Sequence, residues 1–92
     1  MFNNNLKLTI MKTFPRKSTI EIDCDPWHGM GRQEDYYLAI CKMINAEPQP
    51  RISAFFGCWE WEITYNSQED ENKVKEYLTD LYNSHIIRYA SW

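Results

Sequence analysis

Between positions 23 and 35 the chain crowds Asp23, Asp25, His28, Arg32, Glu34 and Asp35 into one short polar stretch. Carboxylates beside a single imidazole can hold a divalent cation or shuttle protons, so a metal-dependent enzyme using Asp25, His28 and Glu34 is the catalytic reading of this segment. No His-Glu-x-x-His or phosphate-loop spacing accompanies them. Glu34 and Asp35 also fall where a helix should start, and the helix dipole favours acids there without any catalysis. A second set, Cys24, Cys41, Cys58, His28 and His85, contains the ligand types for zinc. Only Cys24-x-x-x-His28 has a ligand-like spacing, whereas structural zinc sites show two close pairs. We therefore expect no catalytic, cofactor or metal-binding residue, and no enzymatic activity.

The aromatic residues Trp27, Phe55, Phe56, Trp59 and Trp61 could stack on single-stranded nucleic acid. Such platforms are interleaved with Lys and Arg, but here Glu60 and Glu62 separate the rings, and the whole chain carries a formal charge of −3. Direct nucleic-acid binding is not expected. Core packing with one or two exposed anchor rings fits better, which makes Trp59, Glu60 and Glu62 candidates for contact with another protein.

The elements that position these residues are legible in the periodicity. Trp59, Trp61, Ile63 and Tyr65 alternate with Glu60, Glu62 and Thr64, the pattern of a strand with one buried face. Val74, Tyr77, Leu78, Leu81, Tyr82 and His85 then follow at helical spacing, with His85 on the stripe near the terminal carbonyls. Between them Ser67 and Asp70 have the spacing of a capping box. Upstream, Gln33 to Asn45 reads as a helix, Pro48 and Pro50 end it, and Arg51 to Phe56 reads as a strand joined through Gly57-Cys58 in a hairpin. Ser18 to Asp23 gives another strand, with Ile20 and Ile22 inward. Leu6, Leu8 and Ile10 alternate like a further strand over residues 6–11.

The expected fold is α+β: a small, mostly antiparallel sheet with two helices on one face, in the order strand, helix, hairpin, helix. Residues 1–92 form one domain, with residues 1–17 either an extension or an extra strand. The tail over residues 86–92 is apolar enough to fold back onto the sheet or to meet a partner, including a second copy in a homodimer.

Composition bounds the remaining classes. At 43% hydrophobic and 25% charged residues the chain is globular in character, and 15% aromatics leave rings beyond what a small core needs. No apolar run approaches the roughly 20 residues of a membrane span. The first residues lack a signal-peptide pattern, and three cysteines without a close pair fit a reducing cytoplasm. Acids cluster late: Glu69, Asp70, Glu71, Glu76 and Asp80 outnumber Lys73 and Lys75 on the last helix. An acidic helix suits a basic partner surface, such as the nucleic-acid-binding face of another protein.

The stretch from Ser67-Gln68-Glu69-Asp70 through Val74, Tyr77 and Leu78 to Tyr82-Asn83-Ser84 resembles the last helix of the DinI family, small bacterial and phage-borne modulators of the RecA recombinase. Ile52-Ser53-Ala54-Phe55-Phe56 is similar to that family's second strand and Ile20-Glu21-Ile22 to its first. The resemblance implies the same element order, no cofactor, and a RecA-contacting surface on the last helix. The matching positions are Glu69, Asp70, Glu76 and Asp80. It implies a regulator of RecA filaments in the DNA-damage response. The alternative partner with the same logic is a host nucleic-acid-handling or defence complex, inhibited by a phage or mobile-element protein (anti-CRISPR-like) through an acidic, DNA-mimicking surface.

Overall fold

The computed structural model describes residues 12–24 and 31–92. The expected strand over residues 6–11 lies outside them, as do Asp25, Trp27 and His28. The described elements are β1 (Arg16–Asp23), α1 (Arg32–Met43), β2 (Arg51–Phe55), β3 (Cys58–Tyr65), α2 (Gln68–Asn83) and β4 (Tyr89–Ser91). All strand pairs are antiparallel and the sheet order is β2-β3-β1-β4. This is the α+β architecture anticipated from periodicity, with β4 added at one edge.

Alternation decides which face is covered. Ile20 and Ile22 of β1 and Trp61, Ile63 and Tyr65 of β3 are buried, while their strand neighbours are half-buried or exposed. Tyr37, Ile40 and Cys41 of α1 and Val74 and Leu78 of α2 close over that face. The Tyr37 ring stacks on Trp61 with centroids 4.6 Å apart and planes 4° from parallel. Its hydroxyl donates to the Glu62 carbonyl (3.1 Å) and accepts from the Gln49 backbone N–H (2.9 Å). One side chain thus ties α1, β3 and the intervening loop together, and burial pushes the phenol up to about 12.

Both helices end in the same way. Past α1, Asn45 takes φ 57°, its N–H donates to the Lys42 carbonyl, and the Ala46 N–H donates to that of Cys41. Past α2, His85 takes φ 62°, its N–H donates to the Tyr82 carbonyl, and the Ile86 N–H donates to that of Leu81. These are paired left-handed caps that satisfy the last carbonyls. They correct two expected boundaries. Asn45 and His85 are cap residues beyond helices that stop at Met43 and Asn83, so His85 is exposed and leaves the apolar stripe.

At the start of α2, the Ser67 hydroxyl accepts from the Asp70 backbone N–H at 3.1 Å, the forward half of the expected capping box. The hairpin also shifts. Phe55 pairs with Cys58, so the turn residues are Phe56 and Gly57, and Cys58 belongs to β3. A Cβ at Gly57 would strike the Cys24 carbonyl oxygen, which lies against the turn. Cys24 N–H donates to the Gly57 carbonyl at 3.0 Å, and the buried Gln33 side chain donates to the same oxygen at 2.7 Å.

Candidate functional site

The carboxylates singled out in the sequence fall on two separate faces. Helical geometry, about 100° per residue, puts Glu69, Glu76 and Asp80 within about 40° of one another, opposite the buried Val74 and Leu78. All three are exposed. None forms an ion pair among the described residues, and Lys73 shares their strip. Asp70 is half-buried at the edge of this strip.

Glu71 is different. It is buried, and its carboxylate meets the Lys12 ammonium at 2.8 Å and the Arg16 guanidinium at 2.9 Å. Burial pushes its pKa up, but the hydrogen bonds and charges of Lys12 and Arg16 outweigh that and hold it below the ordinary carboxylate value. One acid of α2 is therefore consumed internally.

Glu60 and Glu62 lie on the opposite side of the sheet, on the face that neither α1 nor α2 covers. There Glu60 stands directly across from Glu21 in the β1–β3 register. Ser53 donates to Glu60 at 2.8 Å and Ser91 to Glu21 at 3.3 Å, so one polar row crosses all four strands. The hydrogen bond from Glu21 to Glu60, with some burial and the Glu60 charge, raises Glu21 and lowers Glu60. Two adjacent carboxylates resist ionising together, which is why the two shifts run in opposite directions. Acids of α2 and acids of β3 cannot touch one flat partner surface together.

Trp59 is half-buried. Its indole N–H donates to the Phe56 carbonyl at 3.3 Å, and the Arg51 guanidinium sits 4.3 Å above its ring. It braces the hairpin. The exposed rings are its neighbours, with Phe55 72%, Phe56 73% and Ile52 57% exposed. Phe55 and Phe56 contact each other edge to face, 4.7 Å between centroids. Phe56 carries φ 55°, a left-handed conformation that costs a bulky L-residue about 1–2 kcal/mol. β2 itself is an edge strand, with a register irregularity between Arg51 and Ser53.

At the other edge, Thr79 and Tyr82 of α2 and Arg88, Tyr89, Ala90 and Trp92 of the tail line a cavity of about 290 Å³. Arg88 donates to the Asp23 carboxylate at 2.7 Å and 3.2 Å. The apolar tail thus folds back as a strand. The sequence had left that choice open, and the cavity its return creates was not foreseen.

The polar loop does not close into a constellation among the described residues. Asp23 is engaged by Arg88, Arg32 faces Asp35 at 3.9 Å on the solvent side of α1, and Glu34 is exposed. Cys24 and Cys41 are buried and Cys58 half-buried, each thiol pushed up first by burial, Cys24 to about 11. Among the described residues no group of three or more His, Cys, Asp or Glu side chains is arranged to hold a metal. No family model, curated protein or solved structure matches this chain.

Proposed function

We propose that the protein is a small non-enzymatic regulator that binds another protein through the solvent face of α2. The observation that carries this reading is the set Glu69, Glu76 and Asp80: three exposed carboxylates on one strip, without ion pairs among the described residues. Exposed acids arranged this way attract a basic surface and steer its approach, as the phosphates of a nucleic acid would. Glu60 and Glu62 lie on the far face of the sheet and belong to a separate contact.

The resemblance of α2 to the last helix of DinI-like proteins makes the RecA filament the partner to try first. The element order β1-α1-β2-β3-α2 accords with that comparison. Purified protein should alter RecA-driven strand exchange or filament disassembly at micromolar concentration, and a variant carrying E69Q, E76K and D80K should lose the effect. No effect of the wild-type protein would sink the RecA reading. A defence complex with a basic nucleic-acid-binding surface would then be the partner to test.

A further inference from the structure

β4 covers only part of its neighbour. It pairs with Glu21, Ile22 and Asp23, so the same edge of β1 runs on over residues 16–20 with no described strand beside it. Backbone groups alternate in direction along a strand. The Cys24 N–H points to the hairpin and the Asp23 carbonyl to the tail. Lys17 and Thr19, an even number of residues from Asp23, therefore aim their N–H and C=O groups at the uncovered edge. Both residues are exposed.

The flank of α2 above that edge is hollow. Helical geometry puts Asn72, Lys75 and Thr79 on one side of the helix, about a quarter turn from the acidic strip. With Glu76 they line a hollow of about 420 Å³. Thr79 and Tyr82 face Ala90 and Trp92 across the tail cavity, so this flank is the β4 side. The hollow lies nearer the start of α2, where Glu71 meets Arg16, and so alongside the uncovered part of β1.

Lys12 shows where the chain arrives. Lys12 and Arg16 both reach the Glu71 carboxylate, at 2.8 Å and 2.9 Å, and Phe14 between them packs against the core. That sets Lys12 across from Arg16 with residues 13–15 as a three-residue turn. We propose that residues 9–11 continue from this turn as a strap, a fifth antiparallel strand on the edge of β1 in line with β4. Met11 then falls opposite Lys17, Ile10 opposite Ser18 and Thr9 opposite Thr19. Met11 and Thr9 meet the outward N–H and C=O groups. Side chains alternate from Lys12, so Ile10 and Leu8 turn to the helix-covered side, Ile10 into the hollow. A slip of one residue would send both to the open face. Pairing stops at Thr9, because Trp92 follows Ser91 toward Ile20, and Leu8 meets Trp92 there. A three-residue tether gives this occupant a high effective concentration at the edge. A strap also closes an edge that would otherwise template pairing with other chains. Glu76 belongs to both the hollow and the acidic strip, so the strap runs beside the proposed partner surface without depending on that reading.

Nuclear magnetic resonance on the full chain tests the strap. Ile10 and Ser18 form a non-hydrogen-bonded pair in this register, so their Hα protons should give a strong cross-strand NOE. The Lys17 and Thr19 amides should exchange with solvent at least roughly tenfold more slowly than in a coil. Leu8→Ser combined with Ile10→Ser should abolish the NOE and return both amides to coil rates. Ile22 and Trp61 should stay protected in that variant, which shows that the remaining fold is intact. A wild type without the NOE, with coil-like exchange at Lys17 and Thr19, overturns the proposal. Protection that survives in the double variant also overturns it and assigns the edge to another occupant. So does an NOE found only between chains in a mixed-label sample, which would mean a strand supplied by a second copy.

Discussion

Glu71 shows how one side chain can change the meaning of a charge pattern. In the sequence it belongs to a run of acids, but in the fold it is buried between Lys12 and Arg16. Its held-down pKa fixes the pH dependence. A carboxylate whose folded pKa lies below its unfolded value contributes stability above the unfolded value, about 4.3, and loses that contribution as pH falls through the folded value. Glu71→Gln should therefore cost on the order of 3 kcal/mol at pH 7, because two cations lose their partner. The gap to wild type should narrow below about pH 4, measured by urea melts across pH. Tyr65 gives a change of opposite sign. Its hydroxyl is buried without a hydrogen-bond partner among the described residues, and Tyr65→Phe should leave stability unchanged or raise it by about 1 kcal/mol in thermal melts. Neither role is visible in the sequence. Glu71 needed a cation from residue 12, and a lone buried hydroxyl has no pattern at all.

At the scale of elements, the junction of β3 and α2 was the most legible part of the chain. Period-2 alternation ends at Tyr65, Ser67 supplies the cap, and period 3.6 takes over with Val74 and Leu78 inward. Ser67→Ala should lower stability by about 1 kcal/mol through the lost bond to the Asp70 N–H, read from the denaturation midpoint. Boundaries were less legible wherever a left-handed residue is not glycine. Asn45, Phe56 and His85 all take positive φ, so each was assigned to a regular element it actually terminates. His85→Gly should stabilise the protein by about 1 kcal/mol at no cost to the cap, with the same readout. β4 is not legible in the sequence because it has three residues and pairs with the remote Glu21, Ile22 and Asp23. Periodicity cannot report a pairing that distant.

Among the described residues the molecule presents three distinct surfaces. The outer strip of α2 is acidic, the open sheet face carries the Glu21–Glu60 row, and the Asp23 end holds tip and cavity. Net charge alone merged the first two, and only the fold separates them by placing α2 on one side of the sheet and Glu60 and Glu62 on the other. The central claim is that the strip of Glu69, Glu76 and Asp80 is the protein-contacting surface. Substitution there is structurally mild: exposed sites away from special features usually shift stability by less than about 0.5 kcal/mol, and Glu69, in the first turn, is changed only to glutamine. The most direct measurement is a paired pull-down from bacterial lysate with immobilised wild-type chain and the E69Q/E76K/D80K variant, with bound proteins identified by mass spectrometry. The account predicts a nucleic-acid-handling protein retained by the wild type and lost from the variant, with enrichment of RecA naming it. Equal recovery of the same proteins by both chains would contradict the claim.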